Sequence, residues 1–468
     1  MDSLAETTVS DSPVQVVHVI KGKAVASPDV TYGSGANAFV TPKLNMTELV
    51  WSRTSPGPAF DLPVKDILDF LGATGEALKA DRQGYLADAA ERMVKTGPLE
   101  AGIVRRSYEQ LPSMFDRDRL LSLIEGEIGD VALLDGWKPF ENRLGNKGSI
   151  RAFPARLVHV MAGNVPAVAA LSIARGAIMK GVHLLKLPSN DLFTAPAILL
   201  TMAGIDPEHP IVQSFSAVYW RGGDREVESL IFRPQYFDKL VAWGGESAIR
   251  SAKDYIGPGF ELVSFDPKTS ISMIGKDGLT SPEAIAEAAE QAAIDSTAYN
   301  QTACAAARFH FVEADDPEAV DRYCEELQRR MGVERPTCSV YAPPVSAELR
   351  EEIDSLRMFE DDYRVWGEID GKGIVIRSDE PLDIYPDGKM VNVVRVKSLA
   401  EAVRHAGVAT QTVGVYPPSR KAELRNALAS AGVQRVVALG GALGMPAGMS
   451  HDGFFPLHRM VRWVNDEG

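Results

Sequence analysis

The chain has 468 residues, of which 45% are hydrophobic and 24% charged, a balance typical of globular proteins and not of disordered ones. Its 63 acidic and 49 basic residues give a formal net charge of −14, which disfavours binding to nucleic acid or to anionic membranes. Three cysteines are too few for a disulfide framework, and no apolar run approaches the roughly 18 residues of a membrane span. Because the acidic N-terminus also has no signal-peptide pattern, we expect a cytoplasmic protein.

The first 150 residues contain an extended stretch followed by a helical one. Residues 14–19 favour a strand, and between residues 62 and 133 apolar side chains recur at helical spacing among many charges. Residues 33–38 match the loose dinucleotide fingerprint GxGxxA, but the segment 39–42 that follows starts no helix. We therefore interpret this glycine pattern as a plain turn.

Strands and helices alternate regularly from residue 157 to residue 274. The predicted elements, in chain order, are strand 157–161, helix 166–180, strand 182–186, helix 194–202, strand 215–220, helix 224–232, strand 240–243, helix 248–255 and strand 270–274. Short connections between them indicate right-handed crossovers on a parallel sheet. This stretch therefore predicts an α/β domain.

A second α/β pattern follows the first. Ser281-Pro282-Glu283 is a strong helix start, with a capping serine, a proline at the first position and a carboxylate at the positive end of the helix dipole. The later predicted elements are strand 308–312, a helix from residue 317, strand 391–396, helix 399–406 and strand 411–415. We place the domain boundary near Phe265 and divide the chain into segments 1–150, 151–265, 266–445 and 446–468.

Three signals in the first α/β stretch lie where predicted strands end. Asn164 lies between a strand and a helix, where its amide could donate to a developing oxyanion, and Lys186 ends a buried strand, where it could bind a cofactor ribose or phosphate. Gly244 and Gly245 would let a phosphate approach a helix N-terminus. Taken alone, each has an ordinary alternative, namely a turn asparagine, a lysine that extends to solvent and a tight turn.

Cys304 is the candidate nucleophile. It lies among small residues on a predicted connection, and loops on a rigid scaffold commonly carry nucleophiles. The alternative is an inert buried cysteine, which is our interpretation of Cys324, on an apolar helical stripe, and of Cys338, in a strand-like segment. No histidine or cysteine spacing typical of a metal site occurs.

The order of these signals resembles the aldehyde dehydrogenase superfamily and, within it, the acyl-CoA reductase family that includes the reductase of bacterial bioluminescence. The stretches that carry the resemblance are AGNVP, LLKLPSND, WGGESAI, QTAC, VNVVRV and HDGFFPL with VRWV. The resemblance spans about residue 155 to the C-terminus and implies two parallel-sheet α/β domains, a Rossmann-like cofactor domain and a catalytic domain. It implies Cys304 as nucleophile and Asn164 as oxyanion donor. The cofactor-binding residues that it implies are Lys186, Ser189, Asn190, Gly244, Gly245, Glu246 and Ser247.

Two departures from ordinary aldehyde dehydrogenases narrow the reaction. In the superfamily that the sequence resembles, hydrolytic members carry a Glu that activates water. The matching position here is Ser264, although Asp266 and Glu261 are close in sequence. A thiol such as coenzyme A needs no such base, so the departure favours an acylating enzyme. NAD-preferring relatives often carry a Glu at the position of Ser189, and its absence favours NADPH, with Asp191 nearby as the remaining carboxylate.

We therefore expect an acyl-CoA reductase that uses NADPH and releases an aldehyde and coenzyme A through an acyl-enzyme on Cys304. The alternatives are a hydrolytic NAD(P)-dependent aldehyde dehydrogenase, a cysteine-dependent acyltransferase or thioesterase without nicotinamide, and an inactive partner of an acyl-activating enzyme. By resemblance, a homo-oligomer and a synthetase partner that presents the acyl group are expected. The sequence does not specify the acyl group.

Overall fold

Two seven-stranded sheets organise the protein in a computed structural model that describes residues 13–467. The first sheet, in spatial order, consists of Glu261–Phe265, Lys239–Trp243, Arg156–Val160, Val182–Lys186, Phe215–Val218, His18–Ile20 and Lys23–Val25. Its first five strands are parallel, and the last two join antiparallel. The strands predicted between residues 157 and 243 are thus confirmed, with shifts of a few residues at their ends, whereas the predicted strand 270–274 belongs to the second sheet.

Helices cover the first sheet on both faces. The longer ones are Val64–Ala80, Tyr85–Thr96, Ala101–Gln110, Arg117–Glu127, Ala167–Ile178, Thr194–Ile205, Arg225–Ile231 and Glu246–Lys253. Ten of the twelve residues of Ala167–Ile178 are buried, because this small-residue helix lies between the sheet and the N-terminal helices. The N-terminal helices therefore share one hydrophobic core with the first sheet.

The second sheet is built from the later part of the chain. Its strands, in spatial order, are Arg364–Trp366, Ile374–Ser378, Met390–Val396, Ala307–Glu313, Thr269–Ile274, Thr410–Tyr416 and Arg435–Ala438. All neighbours are parallel except the edge strand Arg364–Trp366. Its helices are Pro282–Ser296, Pro317–Met331, Ala347–Leu356, Leu399–Ala402 and Lys421–Ala431. The expected fold of two parallel-sheet α/β domains is confirmed.

Two small sheets complete the described chain. The C-terminal strand Arg462–Glu467 pairs antiparallel with Lys147–Phe153, which pairs in turn with Lys138–Glu141. A second small sheet contains Val14–Gln15, Phe39–Thr41 and Val30–Tyr32. The remaining short helices are Met46–Leu49, Ala132–Asp135, Pro210–Gln213 and Pro456–Met460.

Several local predictions can be compared directly with the structure. The helix start at Ser281 is confirmed, because its Oγ accepts a hydrogen bond from Ala284 N at 3.2 Å. The glycine pattern 33–38 is a turn that leads into a strand and not into a helix, as expected. The strand-like interpretation of Cys338 is wrong, because it forms only an isolated bridge with Arg335, although it is buried. No helix within residues 13–467 has the length and apolar character needed to cross a membrane.

Candidate active site

The structure places Asn164, Lys186 and the glycine pair 244–245 at the carboxyl edge of the first sheet. The strand Arg156–Val160 is flanked by Lys239–Trp243 and Val182–Lys186, all parallel, so their carboxyl ends face the same way. Half-buried Asn164 follows the central strand, and Lys186 is the last residue of one neighbour. This is the edge at which open α/β sheets bind ligands.

Gly244 and Gly245 precede the short helix Glu246–Lys253, whose N-terminus is exposed to solvent. Gly244 has a φ of 159° and a Cβ there would lie 3.1 Å from the Ala248 side chain, whereas a Cβ at exposed Gly245 would meet nothing within 4 Å. Gly245 O accepts from Ala248 N and from Ile249 N, so the first N–H groups of the helix are directed out of its end. Exposed Glu246 is paired with Arg250 and Ser247 is also exposed. The helix end therefore has room for the pyrophosphate of a dinucleotide.

Lys186 is a buried cation without a close counter-ion. Burial lowers the pKa of its ammonium group, and the more distant Glu228 carboxylate raises it. Its Nζ lies 5.7 Å from the centre of the Tyr219 ring, and within residues 13–467 it forms no ion pair. A ribose hydroxyl or a phosphate would supply the partner that this ammonium group lacks.

The polar residues that follow Lys186 differ in their exposure to solvent. Ser189 and Asn190 are both exposed. Asp191, in contrast, is 4% exposed, and its Oδ1 accepts from Thr194 N at 3.0 Å and from Thr194 Oγ1 at 2.7 Å. Asp191 Oδ1 is thus engaged at the start of the following helix, and the carboxylate is buried there.

Cys304 follows a strained loop that is held from two sides. Tyr299, Asn300 and Gln301 have left-handed φ values of 51°, 50° and 72°. The Asn300 side chain donates to Ser339 Oγ at 2.7 Å and accepts from its N at 3.1 Å, and Gln301 donates to Met390 O at 2.7 Å and accepts from its N at 3.1 Å. Such strain persists only where the surroundings enforce it, and it concentrates at functional sites.

The Cys304 side chain is exposed to solvent, although many protein atoms surround it. Burial raises the pKa of its thiol and the Asp452 carboxylate raises it further, whereas a hydrogen bond from Gln411 and the N–H groups of Cys304 and Ala305 lower it. The Gln411 Nε2 also donates to Asp452 Oδ1 at 2.6 Å. Ser270 Oγ donates to Cys304 O at 2.9 Å and fixes the backbone beneath the sulfur.

The C-terminal segment connects this cysteine to the first sheet. His451 packs 5.1 Å from the Phe265 ring, which stacks on Trp243 at 3.6 Å, at the carboxyl ends of the two outer strands. Next to it, Asp452 interacts electrostatically with Arg175, on the helix that follows Asn164. The cysteine loop is therefore not separated from the carboxyl edge of the first sheet.

The carboxylates near Ser264 can now be placed. Ser264 is half-buried in the strand Glu261–Phe265. Glu261 lies at the amino end of that strand, away from its carboxyl edge, and pairs with Lys239 at 3.0 Å. Asp266 is exposed just beyond the carboxyl end.

A second group of polar residues, not found from the sequence, supports the glycine-rich segment 440–453. Asp295 accepts from Gly440 N at 2.8 Å and from Ala442 N at 2.9 Å. Arg435 donates to Ala442 O at 2.9 Å and interacts electrostatically with Cys304. These residues lie far apart along the chain, and the only sequence signal was the glycine-rich composition of the segment. Within residues 13–467, no three His, Cys, Asp or Glu side chains are grouped to hold a metal ion.

The fold of the chain is that of the aldehyde dehydrogenases. Lactaldehyde dehydrogenase from Escherichia coli superposes with a TM-score of 0.71 over 97% of this chain and 99% of that chain, at 15% identity. An NADP-dependent glyceraldehyde-3-phosphate dehydrogenase from Bacillus halodurans C-125, complexed with NADP, gives a TM-score of 0.68 over 96% and 95%, at 14% identity. At these identities the likeness concerns the fold.

Sequence comparison then gives the family. The profile of the family described as Acyl-CoA reductase (LuxC) matches residues 59–463, and the chain belongs to this family. It is 28% identical to a "Long-chain acyl-protein thioester reductase" of Photorhabdus luminescens over 425 residues, 87% of this chain and 83% of the relative. A protein of the same description from Vibrio harveyi is 27% identical over 418 residues, 87% and 83% of the two chains. The expected family is thus confirmed, and the chain is an aldehyde dehydrogenase-like reductase.

Proposed function

We propose that this protein uses NADPH to reduce an acyl thioester to an aldehyde, through an acyl-enzyme on Cys304. The observation that carries the proposal is the accessible sulfur of Cys304 on a strained, hydrogen-bonded loop. It is supported by the nearby carboxyl edge of the first sheet, where Asn164 and Lys186 lie.

The residues of the chain account for acyl transfer to the sulfur. The Cys304 thiolate attacks the carbonyl carbon, and the amide of Asn164 with the backbone N–H of Cys304 stabilises the oxyanion. The bond between the acyl carbon and the donor sulfur then breaks, and the donor leaves as a thiol with the proton that Cys304 gave up. When bound, NADPH supplies the hydride that reduces the acyl carbon. Release of the aldehyde breaks the carbon–sulfur bond, and Cys304 takes up a proton from solvent.

The surroundings of Ser264 favour reduction over hydrolysis. Deacylation by water needs a general base, and the position that carries it in hydrolytic relatives holds a serine here. Glu261 is bound to Lys239 at the far end of its strand. The absence of a glutamate at this position therefore favours an acyl group that stays on Cys304 until it is reduced or returned to a thiol.

We assign NADPH to the domain 151–265 and the nucleophile to the domain 266–445. Lys186, Ser189 and Asn190 would hold the ribose and its 2′-phosphate, and the helix end of Gly244, Gly245, Glu246 and Ser247 would face the pyrophosphate. Because the Asp191 carboxylate is buried at the start of a helix, no exposed carboxylate close to Lys186 in sequence repels a 2′-phosphate. This supports NADPH over NADH.

The acyl donor is proposed to be an acyl-CoA, with an acylated protein as the second candidate. The family description names acyl-CoA, whereas the relatives are named for acyl-protein thioesters, and both donors present the same carbonyl to Cys304. A synthetase partner that presents the acyl group, assembly as a homo-oligomer and a cytoplasmic location belong to the same proposal.

The test is transfer of a radiolabelled acyl group from acyl-CoA, and separately from an acylated protein, in the absence of NADPH. We expect a hydroxylamine-sensitive adduct that disappears in Cys304→Ala and persists in the matched control Cys324→Ala, whose sulfur is buried. Addition of NADPH should release aldehyde. Full labelling of Cys304→Ala would refute the acyl-enzyme, and rapid oxidation of aldehyde by NADP without any added thiol would favour a hydrolytic dehydrogenase.

A further inference from the structure

Gln411 lies between the nucleophile and a carboxylate. It belongs to the strand Thr410–Tyr416, which pairs with Thr269–Ile274, and Ser270 of that neighbour anchors the backbone of Cys304. Gln411 is 3% exposed, and its side-chain amide lowers the pKa of the Cys304 thiol. Its Nε2 donates to Asp452 Oδ1 at 2.6 Å. The Gln411 amide therefore lies between the Cys304 sulfur and the Asp452 carboxylate.

Asp452 is fixed by the turn that carries it. It has a φ of 51°, and the turn is closed by His451 N donating to Phe454 O at 2.8 Å and Phe454 N donating to His451 O at 3.2 Å. Burial raises the pKa of the Asp452 carboxyl, and the hydrogen bond from Gln411 lowers it. The turn therefore holds a carboxylate at a set position against the Gln411 amide.

We propose that Gln411 and Asp452 are positioning residues for Cys304: Asp452 orients the Gln411 amide, which directs and stabilises the sulfur as it becomes a thiolate. The proposal rests on the proposed function, because that function makes Cys304 the nucleophile. An amide donor favours the thiolate, whereas the charge of Asp452 disfavours it. The two residues thus act on the sulfur in opposite directions, which a merely structural pair would not do.

Other charged groups face the same pair. Arg435 approaches both Cys304 and Asp452 from the strand Arg435–Ala438. The Asp452 carboxyl is also influenced by Lys268, Asp266 and Arg175. These groups remain unchanged in the variants below, so each measured shift reports on the substituted residue.

The experiment is the pH dependence of alkylation of the full chain by iodoacetamide, which reacts with the thiolate. Gln411→Leu removes the donor and should move the midpoint up in pH. Asp452→Asn removes the charge but keeps an acceptor oxygen, and should move the midpoint down. We expect at least half a pH unit in each direction, which is about a threefold change in rate below the midpoint.

Matched controls make the comparison specific. Gln213→Leu and Asp118→Asn change the same residue types at exposed or half-buried sites outside the active site and should reproduce the wild-type midpoint. Cys304→Ser gives the background from buried Cys324 and Cys338. If Gln411→Leu does not fold, Gln411→Asn, which withdraws the amide by one methylene, should shift the midpoint in the same direction.

Two outcomes would overturn the pairing: midpoints that stay at the wild-type value, or midpoints that move in the same direction in both variants. Alkylation uses neither thioester nor NADPH. Its result is therefore separate from the acyl-adduct test, and failure of one proposal can be told from failure of the other.

Discussion

Lys186 is a buried cation that forms no ion pair within residues 13–467. We predict that Lys186→Met weakens NADPH binding by about tenfold or more, the value of a hydrogen bond to a charged group. The protein should remain folded, because burial already disfavours the charged ammonium group. A fluorescence titration with NADPH measures the change.

The control for this prediction is Lys239→Met. Lys239 lies at the amino end of the strand Lys239–Trp243, two strands away from the strand of Lys186, and pairs with Glu261, so NADPH affinity should stay at the wild-type value. Equal affinity of Lys186→Met and the wild-type protein would contradict the assignment of Lys186 to the cofactor.

Single residues also mark the limit of what the sequence could predict. Asn164 and Lys186 were found because each lies in a recognisable local pattern near the end of a strand, and Cys304 because it lies among small residues on a connection between a helix and a strand. Gln411 and Asp452 were not assigned a role, because their position beside Cys304 depends on the pairing of Thr410–Tyr416 with Thr269–Ile274 and on the fold of the C-terminal turn. No spacing along the chain encodes such a contact.

At the scale of elements, the side-chain amides of Asn300 and Gln301 hold the loop that carries the nucleophile in its conformation. We predict that Gln301→Leu lowers the free energy of unfolding by about 2 kcal/mol, because in a buried site the C=O of Met390 loses its side-chain donor and the N–H of Met390 keeps only its bond to Asp387 O. Hydrogen exchange of residues 298–305 should become faster and the turnover number should fall. Urea unfolding and exchange measured by mass spectrometry provide the test.

Thr302→Ala is the control in the same loop. Thr302 is exposed and makes only a local hydrogen bond to Tyr299 O, so stability should change by no more than about 0.5 kcal/mol. If Gln301→Leu is as stable as Thr302→Ala, the side-chain hydrogen bonds do not hold the loop.

Elements with strong periodic or capping signals were predicted well, and weakly marked ones were missed. The helix Pro282–Ser296 and the strand Val182–Lys186 have clear signals and are present as expected. The strands Glu261–Phe265, Ile374–Ser378 and Arg435–Ala438 were not predicted. Each is only four or five residues long and contains a charged residue, so its β-branched and aromatic residues form too short a run to give a clear periodic signal.

The whole molecule contains neutral histidines in both sheets. His159 and His183 are buried together, with Nε2 and Nδ1 at 3.1 Å, and His310 lies between Ser296 Oγ at 2.7 Å and Tyr323 OH at 2.9 Å. Burial lowers the pKa of His159 and of His310 to about 3. Both domains should therefore lose stability in acid for the same physical reason.

The sign of this pH dependence follows from proton binding. Because the folded pKa of His310 is about 3 and an unfolded histidine titrates near about 6.5, the unfolded state binds the extra proton between these values. The contribution to stability is complete above about pH 6.5 and is lost as the pH falls towards 3. At pH 5 each such histidine should cost about 2 kcal/mol relative to pH 7.5.

We predict that His310→Gln narrows the difference in unfolding free energy between pH 7.5 and pH 5 by about 2 kcal/mol, because glutamine takes up no proton. The variant should be less stable at pH 7.5, since the ring also fills a buried site. Urea unfolding at the two pH values measures the difference, and His458→Gln, at an exposed position, should keep the wild-type difference. An unchanged difference in His310→Gln would mean that acid destabilises the protein through other groups.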